Sequence, residues 1–452
     1  MLRKRLGPVV ALWMLAAASP ATAQDNKKVI DEILDILRQN NQISPEQYQD
    51  LKKKAEAEQL EAVRKQADEA KPEPGVVDLR ASWKEGFRVS TPDGAFELKV
   101  GAEIQNDWAV TLQDQGTREA FDLTSVDTGT EFRRARLLMS GVVYRNFPFR
   151  FQYDFAEGAF KDVYIGARDL PVVQFIRIGH FKEPFSLEEL TSNIDLTFME
   201  RGLPNAFAPK RNSGLGALAT ELDRRLTWAA GVFHEADDLG EGFGPNNYNL
   251  TARVTGLPWY ESKGTRLVHL GFAYSHQFRD DFEFGYNQRP EAHLYPVPLV
   301  NTGAIPINGV DLIGAEAAMV VGPFSMQFEY ENAFVNQTGP DLSFGGWYVF
   351  ASYFLTDDFR PYDTGQGVFT RVKPQRDMVF DGEGWGAWEL AARFSRLDLN
   401  SGDIEGGVLD DVTAGVNWYL NPVLRVEANY VWANLESVGD SNIFESRFQL
   451  VF

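Results

Sequence analysis

A chain of 452 residues with 64 acidic against 44 basic side chains carries a formal charge of −20, which argues against a nucleic-acid partner. It has no cysteine, so disulfides and thiolate metal sites are excluded. Aromatic residues make up 13% of it, mean hydropathy is −0.29, and beyond the first two dozen residues no apolar run reaches the ~18 residues of a membrane helix.

Residues 1–23, MLRKRLGPVVALWMLAAASPATA, set Arg3, Lys4 and Arg5 before an apolar stretch and end in the small-x-small site Ala21-Thr22-Ala23. This predicts a secretory signal peptide and export from a bacterial cytoplasm. Residues 24–75 are expected to form a periplasmic helical arm. Val29, Ile30, Ile33, Leu34, Ile36 and Leu37 recur at three- and four-residue steps. Ser44-Pro45-Glu46-Gln47 then supplies an N-cap, an N1 proline and a capping-box glutamine for a second helix, Glu46 to about Ala70. KPEPG at 71–75 closes the arm as a linker. A solvated arm, a helical hairpin and an oligomerising coiled coil all fit this pattern, as does a tether to the cell wall.

From residue 95 the period changes to two. Phe96, Leu98, Val100, Ala102, Ile104, Trp108 and Val110 share one face of a first strand. Ala135, Leu137, Met139, Gly141 and Val143 share the outward face of the second, which leaves Arg134 and Arg136 facing in and Arg133 facing out. FRFQYDF at 149–155 is the third: Phe149, Phe151, Tyr153 and Phe155 on one side, Arg150, Gln152 and Asp154 on the other. Thirteen further candidates follow, at 160–169, 172–181, 214–222, 225–235, 247–256, 265–278, 309–321, 323–336, 344–355, 386–398, 408–420, 423–434 and 443–452, giving sixteen. Joins alternate short and long, as in an outer-membrane barrel, and strands of this length suit a tilted crossing. One join breaks the pattern: residues 356–385 belong on the short-turn rim, so either they fold into the periplasm or the strand count is off by two.

EFRRARLLMSG at 131–141, IGHFKEPFSLEELTS at 178–192, FMERGLPNAFAPKRNSG at 198–214, GAWELAARFSRLDLN at 386–400 and VTAGVNWYLNPVLRVEANYV at 412–431 resemble blocks of the phosphate-selective porin family, the porins O and P of bacterial outer membranes. The final Phe452 resembles the assembly signal of outer-membrane proteins. The resemblance covers about 85–452 and implies an all-β fold: a transmembrane antiparallel β-barrel of about sixteen strands, usually a homotrimer, with a third loop folded inward. It implies partners in outer-membrane lipid, lipopolysaccharide and small anionic solutes, phosphate or polyphosphate among them, and no cofactor or metal.

Anion passage needs basic side chains spaced along the lumen. Strand parity turns Arg134, Arg136, Arg177, Arg253 and Arg393 inward, and the segment 182–213 adds Lys182, Arg201, Lys210 and Arg211. Ser186-Leu187-Glu188-Glu189 predicts a short capped helix there. By resemblance this loop is the constriction, facing Arg134 and Arg136 across the pore. The opposing expectation is that Asp154, Asp162, Glu316, Glu329, Glu331, Glu389 and Glu427, on the same inward parity, pair with these bases and leave a general or cation-preferring pore. Catalytic signatures are missing: no G-x-S-x-G occurs, HEADD at 234 lacks a second histidine, and His269 and His276 fall on opposite strand faces.

Overall fold

The computed structural model describes residues 78–452 except 245, 246, 381 and 383, together with scattered residues between 44 and 57. The expected signal peptide at 1–23 and nearly all of the expected arm at 24–75 lie outside the described residues. Where the arm is described it is helical from Pro45, and the Tyr48 N–H donates to the Ser44 carbonyl at 2.9 Å; Gln47, the expected capping-box partner, lies outside the described residues.

Sixteen antiparallel strands form the barrel: β1 Glu97–Gln113, β2 Val126–Val143, β3 Phe147–Asp154, β4 Ala159–Arg168, β5 Phe175–Lys182, β6 Arg211–Glu221, β7 Leu226–His234 and β8 Tyr248–Glu261, then β9 Arg266–Phe284, β10 Ile305–Val321, β11 Phe324–Asn336, β12 Leu342–Phe354, β13 Ala387–Ser401, β14 Ile404–Tyr419, β15 Leu424–Leu435 and β16 Gly439–Val451. Each pairs with its chain neighbours, and β16 pairs with β1, so the sheet closes and leaves no long open edge. At the seam the Gln105 amide donates to Gln449 Oε1 at 2.6 Å. A hairpin, Arg80–Trp83 with Phe87–Ser90, takes over the edge of β1 at residues 97–100, where β16 stops.

The two-faced strands behave as their period requires. On β1, Ile104 and Trp108 are exposed on the outer surface while Gln105 and Asp107 are buried inside. At the end of β3, Asp154 is fully buried and the next residue, Phe155, is 65% exposed. On β9, His269 points in to Glu316 and His276 out to Asp311. One parity fails. A bulge opposite Gln105 and Asn106 inserts an extra residue into β2: Arg134 faces Gln105 and Phe132 faces Asn106. The extra residue is Arg133, which turns inward to Glu200 at 3.0 Å instead of standing on the outer face.

The long joins on one rim, 183–210, 235–247 and 285–304, follow β5, β7 and β9, as expected. A helix, α1 Gln115–Phe121, crosses the first join of that rim, and the Asp114 side chain caps it. Residues 355–386 depart from both expectations. Sixteen strands stand, and residues 359–370 of this join leave the short-turn rim and fold into the lumen. There Tyr362–Asp363 pairs with Val368–Phe369, and Val368 and Phe369 pack beside Leu187, Leu267 and Val320.

The lumen is therefore not an open tube lined by water on all sides. Along β10–β16, residues of the 183–210 and 285–304 loops make a true core: Phe185, Leu203, Phe207 and Tyr295 pack on Leu312, Phe344, Leu397 and Val431. Burying this apolar surface holds both loops down.

Candidate permeation site

The loop 183–210 is fastened to the β10–β16 wall by buried charges. Ser186 caps α2, Leu187–Leu190, accepting from the Glu189 N–H. Glu329 of β11 then receives the Ser186 hydroxyl and the Leu187 and Glu188 N–H groups, each at 2.8 Å, and the Tyr348 hydroxyl at 2.5 Å. Glu188 in turn accepts from the Gly202 N–H and pairs with Arg393 at 3.2 Å. Further along, the loop's carbonyls take donors from the late strands. Arg425 donates to the Leu196 and Thr197 carbonyls, Asn417 to that of Thr197, Arg447 to that of Met199 and Arg393 to that of Glu200. Irregular backbone buried inside a barrel needs such partners.

Most of the basic residues expected at the pore take part in this fastening. Arg393 is fully buried between Glu188 and Glu291, its guanidinium 4.4 Å from the Phe198 ring. Arg136 pairs with Asp154 at 2.6 Å and donates to Asn193 of the loop at 2.7 Å. Arg134 is buried and donates to Gln105 at 2.6 Å. Arg201 donates to the carbonyls of Glu188, Glu189 and Thr191 and pairs with the Glu189 carboxylate. Lys182 pairs with Glu189 at 3.1 Å. Lys210 is exposed at the loop's end. Burial pushes the Glu189 carboxyl up, but Arg201 and Lys182 hold it at about 2. Burial acts likewise on Glu200, and Arg133, Arg134 and Arg447 hold it well below the usual carboxylate range.

Because the loop lies against one wall, open space remains along the other. A chamber of about 350 Å³ is bounded by the inner faces of β3–β8, by the loop and by the 355–386 insert. Arg150, Arg177, Lys182, Arg211 and Arg253 line it, against Asp162, Asp195 and Asp363. Asp162 pairs with Arg211 at 2.8 Å and Arg150 at 3.6 Å. Arg177 makes no ion pair among the described residues; its guanidinium lies 4.1 Å from the Phe181 ring centroid and 5.6 Å from that of Tyr164. Arg253 is neutralised by Glu316 at 2.8 and 2.7 Å and donates to the Gly367 carbonyl, which holds the insert. His269 and Tyr362 add a second tie at 2.7 Å, and Thr227 a third through the Thr364 carbonyl.

Of the expected residues, the chamber gathers Arg177, Lys182 and Arg211. Arg134, Arg136, Arg201 and Arg393 are not among its lining residues and brace the loop or its surroundings. Arg150 was legible as inward-facing but not as part of a site. Arg425 and Arg447 share the inward parity of Glu427 and Gln449, but nothing local marks an arginine whose partner is a loop carbonyl more than two hundred residues away.

The family model described as phosphate-selective porin O and P matches residues 99–452. Porin O of Pseudomonas aeruginosa is 24% identical, over 83% of this chain and 93% of that protein. An uncharacterised protein of Caulobacter vibrioides is 30% identical, over 79% of this chain and 72% of that protein. Among solved structures, the outer-membrane protein OmpT of Vibrio cholerae shares the fold, with a TM-score of 0.50 and 11% identity over 79% of this chain and 98% of that one.

Proposed function

The chain belongs to the phosphate-selective porin O and P family, and on that premise we propose that it is an outer-membrane pore through which small anions, phosphate among them, diffuse passively by way of the chamber beside Arg150, Arg177 and Arg211. The outward apolar belt then meets lipid and, at the outer rim, lipopolysaccharide. Homotrimer assembly and a periplasmic position for residues 24–75 belong to the same proposal. The reading assigns the protein no catalytic chemistry.

One observation carries it. Three guanidinium groups, Arg150, Arg177 and Arg211, share a chamber wall with one carboxylate, Asp162, a local excess of two positive charges. In a narrowed channel with low-dielectric walls such an excess is focused on the passing ion. Partial pairing with Asp162 keeps any one site from trapping it. Asp195 and Asp363 line the same chamber and oppose the field, so selectivity is the measurement that decides.

The purified protein in a planar bilayer under a KCl gradient is expected to prefer chloride. The preference weakens from 0.1 M to 1 M salt, as the Debye length falls from about 10 Å to about 3 Å. Arg177→Glu should move the zero-current potential toward cations. A preference for potassium in the unmodified pore at low salt sinks the reading and leaves a general or cation-preferring porin.

A further inference from the structure

The join between β12 and β13 does not end with its lumenal part. Its last residues lie on the outside of the barrel, and two indoles place them there. On β13 and β14 the lumenal parity carries Ala387, Glu389, Asn417 and Tyr419, all buried, so Trp388 and Trp418 stand on the outer face. They stack with ring centroids 5.0 Å apart and planes 18° from parallel. Both indole N–H groups donate to the Trp385 carbonyl, at 3.2 Å and 2.8 Å. The Met378 N–H donates to the Leu420 carbonyl at 2.6 Å and the Val379 N–H to that of Gly384 at 3.3 Å, so 378–380 and 384–385 are pinned to each other and to the rim. Gly386 lets the chain pass this close: its φ is +70°, and a Cβ there would stand 2.2 Å from the Tyr419 carbonyl oxygen.

The pinned residues turn apolar side chains away from the protein. Phe380 is 95% exposed and Trp385 76%, with Val379 exposed beside them. A single exposed hydrophobe is ordinary, but three on one braced turn cost free energy in water that a partner recovers. The neighbouring outer face says which partner. Tyr353, Leu390 and Val416, all exposed, are cross-strand neighbours in one row over β12, β13 and β14, next to the Trp388–Trp418 pair. Leu355, also exposed, donates its N–H to the Trp388 carbonyl at 2.8 Å. The apolar turn is thus continuous with the outer apolar belt and sits at its short-turn edge, the level at which aromatic rings meet lipid head groups. An interfacial indole ordinarily gives its N–H to a head group or to water. Here the Trp385 carbonyl takes both N–H groups, and the rings left to reach outward are Phe380 and Trp385.

We propose that the end of this join is a membrane anchor: Phe380 and Trp385 enter the head-group boundary of the phospholipid leaflet on the short-turn rim. One join then serves two media, with Val368 and Phe369 packed in the lumen and Phe380 and Trp385 in lipid. The anchor is independent of ion selectivity and lies outside the strand belt, since neither residue belongs to a strand.

The chain has no cysteine, so Phe380→Cys creates a single site for a thiol-reactive bimane dye. The full protein is reconstituted in phosphatidylcholine vesicles whose acyl chains are brominated near the head group, and separately in unbrominated vesicles with iodide on both sides. Leu390→Cys, on the belt, is the lipid reference, and Asp223→Cys, exposed in the turn between β6 and β7 on the same rim, is the water reference. Brominated lipid is expected to quench the label at 380 as much as the label at 390, and iodide to quench it less than the label at 223. Trp385→Cys should give the same pattern. Heat-modifiable mobility on gels selects the variants that form barrels. At either position, a label that behaves like the one at 223 overturns the proposal. A label sheltered from both quenchers is covered by protein, a second copy or residues 24–75, and overturns it too. If brominated lipid fails to reach 390, the lipid-facing belt falls and the anchor with it.

Discussion

Glu329→Ala removes the acceptor on which the start of the inward loop depends. Two buried backbone donors, the Leu187 and Glu188 N–H groups, lose the carboxylate partner they hold at 2.8 Å. The Ser186 and Tyr348 hydroxyls also lose theirs, but a hydroxyl rotates to another partner and a backbone N–H does not. An orphaned buried donor costs about 1–3 kcal/mol, so keeping residues 186–190 in place costs about 2–6 kcal/mol. The rest of the loop stays fastened through Arg393, Arg425 and Arg447, so the change is local: α2 lifts while 196–203 hold. Because α2 borders the chamber, single-channel current in KCl should rise and become noisier, and limited proteolysis should reach 186–190. Glu329→Gln keeps one acceptor oxygen and should show about half the effect. If Glu329→Ala leaves current, noise and protease resistance as in the unmodified protein, Glu329 does not hold the loop, and the account of how the pore is narrowed fails.

Phe151→Arg places a charge on the outer face of β3 and should cost about 2–4 kcal/mol near the membrane midplane, whereas Gln152→Arg, on the inner face, should be better tolerated; folding yield into bilayers compares them. Burial pushes the Asp195 carboxyl up to about 7, against Arg371 at 3.9 Å and Arg425, with Glu103 and Glu85 adding to the rise. An acid raised in the folded state takes up its proton as pH falls from 8 to 6, so the chamber loses a negative charge and anion preference should increase in that window. Asp195→Asn should hold the acid-side selectivity at both pH values, and the same proton uptake makes the native protein lose stability as pH rises from about 4 to about 7. Deleting residues 25–74 should leave single-channel conductance unchanged, and a deletion mutant that inserts without conducting refutes that.

Strand parity was legible wherever each strand has two unlike faces. Ile104 against Gln105 and Phe155 against Asp154 needed no partner to be read. The capped turn at Ser186 was legible too, because its chemistry is local. Arg133 was not: a bulge depends on the register of the neighbouring strand, which one strand's sequence does not contain. The insert was visible as an anomaly of length, but its direction is set by remote groups, Arg253 on the Gly367 carbonyl and His269 on Tyr362. The candidate site divided the same way. Inward arginines could be found by counting residues, yet whether each meets a solute or a carboxylate is decided across the lumen. Arg136 finds Asp154 and Arg253 finds Glu316, and Arg177, without an ion pair among the described residues, lies against aromatic rings.

The seam between β16 and β1 also has a meaning in time. Gln105 and Gln449 meet across 344 residues of chain. Every other pairing of the ring joins strands that follow one another in sequence, but the second edge of β1 must wait for β16, when nearly the whole barrel has been made. During that interval its free edge and exposed Ile104 and Trp108 are a template for pairing with the wrong strand or another copy. Closure is thus a late event in the life of the chain, and a protein built this way depends on being kept apart from its fellows until its last strand arrives.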